Sequence, residues 1–168
     1  ILDAKGITAS KCAFWKNNMS NSPKLAIPQS SVLDRTGWIA SGSKNNNSAN
    51  NAIDGKDDTR WTSGSQKEAG DWFKIDMRSK QKFNLIILDT TGSPNDTPAK
   101  YELYTSENDL DWGDPIATGE GSSMMTIISI PAQNTRYFKI VQTGNTKTNY
   151  WSIHEAYVIN DDYEDAII

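Results

Sequence analysis

Phe73-Lys74-Ile75-Asp76-Met77 alternates apolar with polar residues, and Phe83-Asn84-Leu85-Ile86-Ile87-Leu88 follows as an almost continuously apolar run. The first pattern is that of a strand with one face in a core and one in water. The second suits a strand covered on both faces. Working outward, Lys100-Tyr101-Glu102-Leu103-Tyr104-Thr105, Thr126-Ile127-Ile128-Ser129-Ile130 and Arg136-Tyr137-Phe138-Lys139-Ile140-Val141 repeat the theme, and Glu155-Ala156-Tyr157-Val158-Ile159 closes the series. These runs are rich in the β-branched and aromatic residues that fit a pleated, half-buried surface. Strand signals begin at Trp38. Between them, residues 41–51, 63–70, 90–98, 107–113, 119–123 and 144–149 are dense in Gly, Pro, Asn, Asp or Ser, the residues that supply turn dihedrals. No amphipathic helix longer than a turn or two is expected. The predicted fold class is all-β, an antiparallel sandwich or jelly roll.

The 168 residues suffice for one domain, with six Trp, six Tyr and four Phe to fill its core. A net charge of −4 argues against nucleic acid, whose recognition rests on Lys and Arg neutralising phosphates. It equally disfavours electrostatic attachment to an anionic membrane. Cys12 is the only cysteine, so an internal disulfide is excluded. The chain begins at Ile1 without Met and is read as a piece of a longer protein. Residues 1–31 are expected to be a linker or the tail of a preceding domain, residues 32–160 the sandwich, and residues 161–168 a solvated acidic tail.

Asn51-Ala52-Ile53-Asp54-Gly55-Lys56-Asp57-Asp58-Thr59-Arg60-Trp61 packs oxygen donors into a short turn between two apolar anchors. A hard cation such as calcium takes six to eight such oxygens. EF-hand spacing is not met, and a plain Asx-rich turn is the alternative.

Here the sequence resembles a known family. Residues 32–159 are similar to a coagulation factor 5/8 type C, or discoidin-like, domain, nearest to the bacterial family 32 carbohydrate-binding modules. The resemblance is carried by Asp34-Arg35-Thr36-Gly37-Trp38-Ile39-Ala40-Ser41, Ala52-Ile53-Asp54-Gly55, Thr59-Arg60-Trp61-Thr62-Ser63 and Gly70-Asp71-Trp72-Phe73-Lys74-Ile75-Asp76-Met77. It continues through Tyr101-Glu102-Leu103-Tyr104-Thr105-Ser106, Asp111-Trp112, Arg136-Tyr137-Phe138-Lys139-Ile140 and Trp151-Ser152-Ile153-His154-Glu155. It implies an eight-stranded jelly roll with a structural calcium ion near one end. The implied ligands are the backbone carbonyls of Asn51, Lys56 and His154 and the side chains of Asp54, Thr59 and Glu155. Asp54 and Glu155 come from distant parts of the chain, so the ion would tie the last strand to the first loop. A salt bridge from Glu155 to Arg60 is the alternative.

The resemblance also implies a noncatalytic, extracellular or cell-surface module of a larger bacterial protein, monomeric and tethered to other domains, binding carbohydrate through loops at one end. Residues 63–70, 90–98 and 144–150 are the candidate loops. Tyr150 is the expected stacking platform, since aromatic faces pack on the apolar face of a pyranose. Asn95, Asp96, Gln66, Asn149 and Asp89 are the expected polar partners, with Lys67 and Glu68 at the rim. The alternative for Tyr150 is cover for the sandwich edge, and for Asn95 and Asp96 turn formation. Trp38, Trp61, Trp72, Trp112 and Trp151 are expected to be framework. The resemblance further notes Thr90-Thr91 where some galactose-binding members have an Arg.

His154 is the only histidine, which gives no support for a catalytic triad or a multi-histidine zinc site. No spacing singles out a paired-carboxylate glycosidase site. The second reading is a discoidin-type adhesion module that binds a protein or membrane surface.

Overall fold

A computed structural model describes residues 31–146 and 148–161. It contains eight strands: β1 (Ile39–Gly42), β2 (Trp61–Thr62), β3 (Trp72–Asp89), β4 (Tyr101–Ser106), β5 (Ala117–Gly119), β6 (Met125–Gln142), β7 (Ser152–Ile153) and β8 (Glu155–Ile159). All pairings are antiparallel. The fold is the jelly-roll β-sandwich that the sequence predicts.

Two pairs of predicted strands fuse into the long strands β3 and β6. The first half of β3 pairs with β1 and with the C-terminal half of β6, which also carries β4 and then β5. Its second half pairs with β8 and with the N-terminal half of β6. Register shifts at Asp76/Gln81 and Phe83/Leu85, with Arg78 at φ 69°, mark the bend between the halves. Each long strand thus serves both layers. Pro131, which has no N–H to give, falls between the paired residues Ser129 and Gln133 of β6, where the ladder asks for none.

Alternation explains the core. Phe73, Ile75 and Met77 from the first half of β3, Ile86 and Leu88 from its second half, and Ile128, Phe138 and Ile140 from β6 join one buried cluster with Trp38, Trp61 and Trp151. Leu85 and Ile87, on the opposite face, are buried as well, so the apolar run of β3 is covered on both sides. Trp72 and Trp112 depart from a core role, being only half-buried. Lys74 Nζ lies 5.5 Å from the Trp72 ring centroid and Lys139 Nζ 4.3 Å from that of Trp112. These rings brace the sheet surface through cation–π contact.

Within the expected loop of residues 41–51, a 3-10 helix (Asn46–Ile53) begins and runs into the acidic turn, burying Ala49 and Ala52. Its asparagines serve the edge of β1: Ala40 N–H donates to Asn50 Oδ1 (2.8 Å) and Gly42 N–H to Asn46 Oδ1 (3.0 Å). At the other boundary, Asp161 is buried rather than solvated. Its N–H donates to Asn84 Oδ1 (3.0 Å), and Asn84 Nδ2 donates to its carbonyl (2.6 Å). Ser31 joins the fold through its carbonyl, which accepts from Asn160 N–H (2.8 Å). The expectations for residues 1–30 and 162–168 lie outside the described residues. Among the described residues, no helix is long and apolar enough to cross a membrane.

Candidate functional site

The site is built on the ribbon formed by β2 and β7, in which Trp61 pairs with Ile153 and Thr62 with Ser152. Trp61, Trp151 and Ile153 point into the core and are fully buried. Strand alternation then turns Arg60, Thr62, Tyr150, Ser152 and His154 to the opposite face. The 90–98 loop lies across that face. Ser152 N–H donates to the Asp96 carbonyl (2.9 Å), and Ser152 Oγ donates to Asp96 Oδ2 (2.7 Å) while accepting from the Thr62 hydroxyl (2.9 Å). His154 Nε2 meets Ser93 Oγ at 3.1 Å. Arg60 donates to Ser93 Oγ and lies 3.5 Å from Asp96 Oδ2.

The three loops expected to present a ligand site come together here. Lys67 N–H donates to the Asn149 carbonyl (3.1 Å), and Lys67 Nζ donates to the Thr97 carbonyl (2.6 Å). Lys67 is therefore buried, not at the rim, and burial lowers its pKa against the opposing pull of Asp96. Glu68 does stand at the rim, paired with Lys44 Nζ at 3.0 Å. Tyr150 is 42% exposed, and Gln66, Asn95 and Asn149 are exposed around the loop junction. Asn149 adopts φ 54°, a left-handed conformation that asparagine tolerates better than most residues. Asp96 is half-buried and both turn-forming and engaged with the ribbon. Asp89 departs from the expected set: it is fully buried, its Oδ1 accepts Thr91 N–H (2.9 Å), and its carbonyl accepts His154 N–H (2.8 Å). It holds the entry to the loop from beneath and is out of a ligand's reach.

Arg60, Thr62, Ser93 and Ser152 belong to this surface and are not among the ligand residues expected from the sequence. The signal for them is the alternation of Arg60-Trp61-Thr62 and Tyr150-Trp151-Ser152-Ile153-His154, too short to be read as strand pairs.

Beside the ribbon lies the acidic turn. Asp54 Oδ1 accepts Lys56 N–H (2.9 Å), Asp54 Oδ2 accepts the Thr59 hydroxyl (2.7 Å), and Thr59 Oγ1 is 3.3 Å from the Lys56 carbonyl. Glu155 reaches this turn from β8, with Oε1 accepting Gly55 N–H (2.9 Å). Its fully buried carboxyl has a pKa pushed up to about 7 by desolvation, opposed by Arg35 and reinforced by neighbouring Asp54. The ion pair of Glu155 is with Arg35, not Arg60. Asn51 spends its side-chain amide on the Arg60 carbonyl (3.1 Å), and the His154 ring accepts or donates at the Asp57 carbonyl (2.9 Å). Among the described residues no three acidic, His or Cys side chains converge, so a cation here would draw on hydroxyl and carbonyl oxygens beside two carboxylates.

Known proteins share this fold. The sequence pattern of the F5/8 type C domain matches residues 27–156. Galactose oxidase of Gibberella zeae is 25% identical over 140 residues, 77% of this chain and 20% of that protein. The chain thus spans about a fifth of the length of the curated relatives it matches. Among solved structures, CpGH89CBM32-5 from Clostridium perfringens, in complex with GalNAc-β-1,3-galactose, superposes with a TM-score of 0.65 at 22% identity, covering 77% of this chain and 99% of that one. The family 32 module of C. perfringens NanJ, in complex with galactose, gives 0.63 at 18% identity, covering 76% and 97%. The matched residues run from before β1 into β8, and the chain belongs to the F5/8 type C domain family.

Proposed function

We propose that this chain is a noncatalytic carbohydrate-binding module whose glycan seat is the end of the sandwich where residues 63–70, 90–98 and 144–150 meet. The observation that carries this reading is the hydrogen-bonded junction of the three loops, which leaves an aromatic face at Tyr150 beside the amides of Gln66, Asn95 and Asn149. Such a surface offers a pyranose an apolar platform and a ring of donors and acceptors. The sugars in the two structures named above support the same class of ligand. A module of this kind acts by raising the effective concentration of glycan near the domains it is tethered to. The host is inferred to be a secreted or surface protein of a bacterium, with the module monomeric and outside the cell.

The same reading assigns a structural calcium ion to the acidic turn, held by the side chains of Asp54, Thr59 and Glu155 and the carbonyls of Asn51, Lys56 and His154. The ion would supply charge that offsets two neighbouring carboxylates and would pin β8 to the turn. Residues of the turn fit it in type: Asp54, Thr59, the Lys56 carbonyl and Glu155 already share one set of contacts.

A glycan array with the purified chain, with calcium and with chelator, tests both parts. Binding to a defined sugar class supports the module reading. A thermal midpoint lowered by chelator supports the ion. Silence across the array, with capture by phosphatidylserine vesicles or a protein ligand instead, would transfer the function to the adhesion reading.

A further inference from the structure

We propose that Arg60 and Asp96 form the hydroxyl-recognising element of the glycan seat, a paired donor and acceptor that selects neutral sugars presenting two adjacent hydroxyls. The inference rests on the glycan reading above and adds to it a residue, a role and a ligand class. Arg60 is carried on the ribbon by Trp61, which is locked in the core. Its Nη1 donates to Ser93 Oγ and stands 3.5 Å from Asp96 Oδ2. Asp96 is in turn fixed at two points by Ser152, through its carbonyl (2.9 Å) and Oδ2 (2.7 Å). Among the described residues these contacts use only Nη1 of the guanidinium and Oδ2 of the carboxylate. A guanidinium has five N–H donors in a planar fork and a carboxylate about four acceptor sites, so most of the capacity of both groups is left for a ligand.

Both side chains reach solvent, at 39% and 17% exposure. One hydroxyl of a diol can accept from the fork while its neighbour donates to the carboxylate, which is the arrangement charge-assisted hydrogen bonds reward. Ser152, which fixes Asp96, links the pair to the platform at Tyr150. Tyr150 and Ser152 are two residues apart on one face, about 7 Å along a strand, roughly the span of a pyranose with its hydroxyls.

The charge of the neighbourhood sets the class. The cation of Arg60 is offset by Asp96, and Lys67 is buried against the Thr97 carbonyl. Asp57 and Asp58 are exposed on the adjoining turn, which is tied to the ribbon by His154. Among the described residues that turn carries one exposed cation, Lys56, against Asp54, Asp57 and Asp58, so a uronate or sulfated sugar would meet net negative charge there, whereas a neutral sugar meets none of that repulsion.

The test is a titration of the chain with methyl galactoside, glucoside and mannoside, their singly deoxygenated counterparts and methyl galacturonide, followed in ¹H–¹⁵N spectra. The Arg60 Nε–H signal is assigned by its loss in Arg60→Lys. The expected result is that a binding neutral glycoside shifts this signal. Arg60→Lys and Asp96→Asn should each weaken binding about tenfold, as loss of a charged hydrogen bond implies, and removal of one hydroxyl of the recognised pair should do the same. If glycosides shift Tyr150 but leave the Arg60 signal still, and Arg60→Lys binds like wild type, the pair has no such role while the glycan seat stands. Tighter binding of the uronide overturns the neutral class. Failure of every glycoside to shift any signal removes the seat itself, and this inference with it. The wild-type spectrum decides the matter even where a substitution unfolds the chain.

Discussion

The two faces of the β2–β7 ribbon share a backbone and little else. Inward, Trp61 packs against Phe73 at 5.2 Å and edge-on against Trp151 at 5.0 Å and 85°, and its indole N–H donates to the Lys44 carbonyl (2.8 Å). Outward, Arg60, Ser152 and His154 meet the 90–98 loop through a guanidinium, a hydroxyl and a ring nitrogen, with Thr62 bonded to Ser152 and Tyr150 open to water. One face is held by shape and apolar area, the other by pairs of polar atoms. Stability and ligand recognition therefore sit one residue apart, and substitutions should separate them.

The largest effect belongs to the inner face. Trp61→Ala should cost about 3–5 kcal/mol, as deletion of a buried aromatic does, and should carry binding away because the ribbon loses its anchor. Denaturant unfolding measures the first and sugar titration the second. A loss under about 1 kcal/mol would show that the ribbon is not held by its core face. Next comes Gly42→Ala. A Cβ there would lie 2.6 Å from Trp61 Nε1 and 2.8 Å from Cε2, against a rigid indole already tied to Lys44. The expected cost is about 1–3 kcal/mol, read from the unfolding midpoint.

The same contrast explains what the sequence discloses. Long strands announce themselves: the alternation from Phe73 to Met77 and the apolar run from Phe83 to Leu88 fix which side chains enter the core. The bend that fuses them is invisible because residues 78–82 are polar and read as an interruption, although Arg78 simply turns the strand. Of the candidate ligand residues, Tyr150, Gln66, Asn95 and Asn149 lie exposed where the loops meet. Asp89 and Lys67 do not, because whether a polar residue faces water or supports a turn depends on partners far along the chain, here His154 and Thr97. Arg60 was legible only as a possible partner of Glu155. Arg35 takes that carboxylate from 120 residues away, a pairing no local pattern encodes.

Lys67 sharpens the comparison because it is a charged group used structurally beside the outer face. Burial lowers its pKa, so in the window between that folded value and the unfolded one, about 10.4, the unfolded chain holds more protons than the folded chain. The contribution of Lys67 to stability therefore rises with pH through that window. Lys67→Met removes the rise, which appears as a smaller slope of unfolding free energy between neutral and alkaline pH. The same variant frees the Thr97 carbonyl from the ammonium while the backbone N–H of residue 67 still holds Asn149, so sugar affinity should fall more than stability does. Equal slopes in the two proteins would mean that the ammonium stays hydrated and the loops are joined by their backbones alone.

Tyr150→Ala should change stability least of all. Its ring is open to water, so truncation removes little buried area and should shift the unfolding free energy by no more than about 0.5 kcal/mol. Its effect on binding is the opposite. Stacking on a pyranose needs a broad apolar face, and a methyl group supplies none, so sugar affinity should drop tenfold or more while Tyr150→Phe, which keeps the ring, retains most of it. Measured together, unfolding and titration of these two variants place Tyr150 on one side of the comparison. If Tyr150→Ala instead destabilises the chain by as much as a core substitution and leaves binding intact, the residue is cover for the sandwich edge, and the division of the ribbon into a structural and a recognising face fails at its most exposed point.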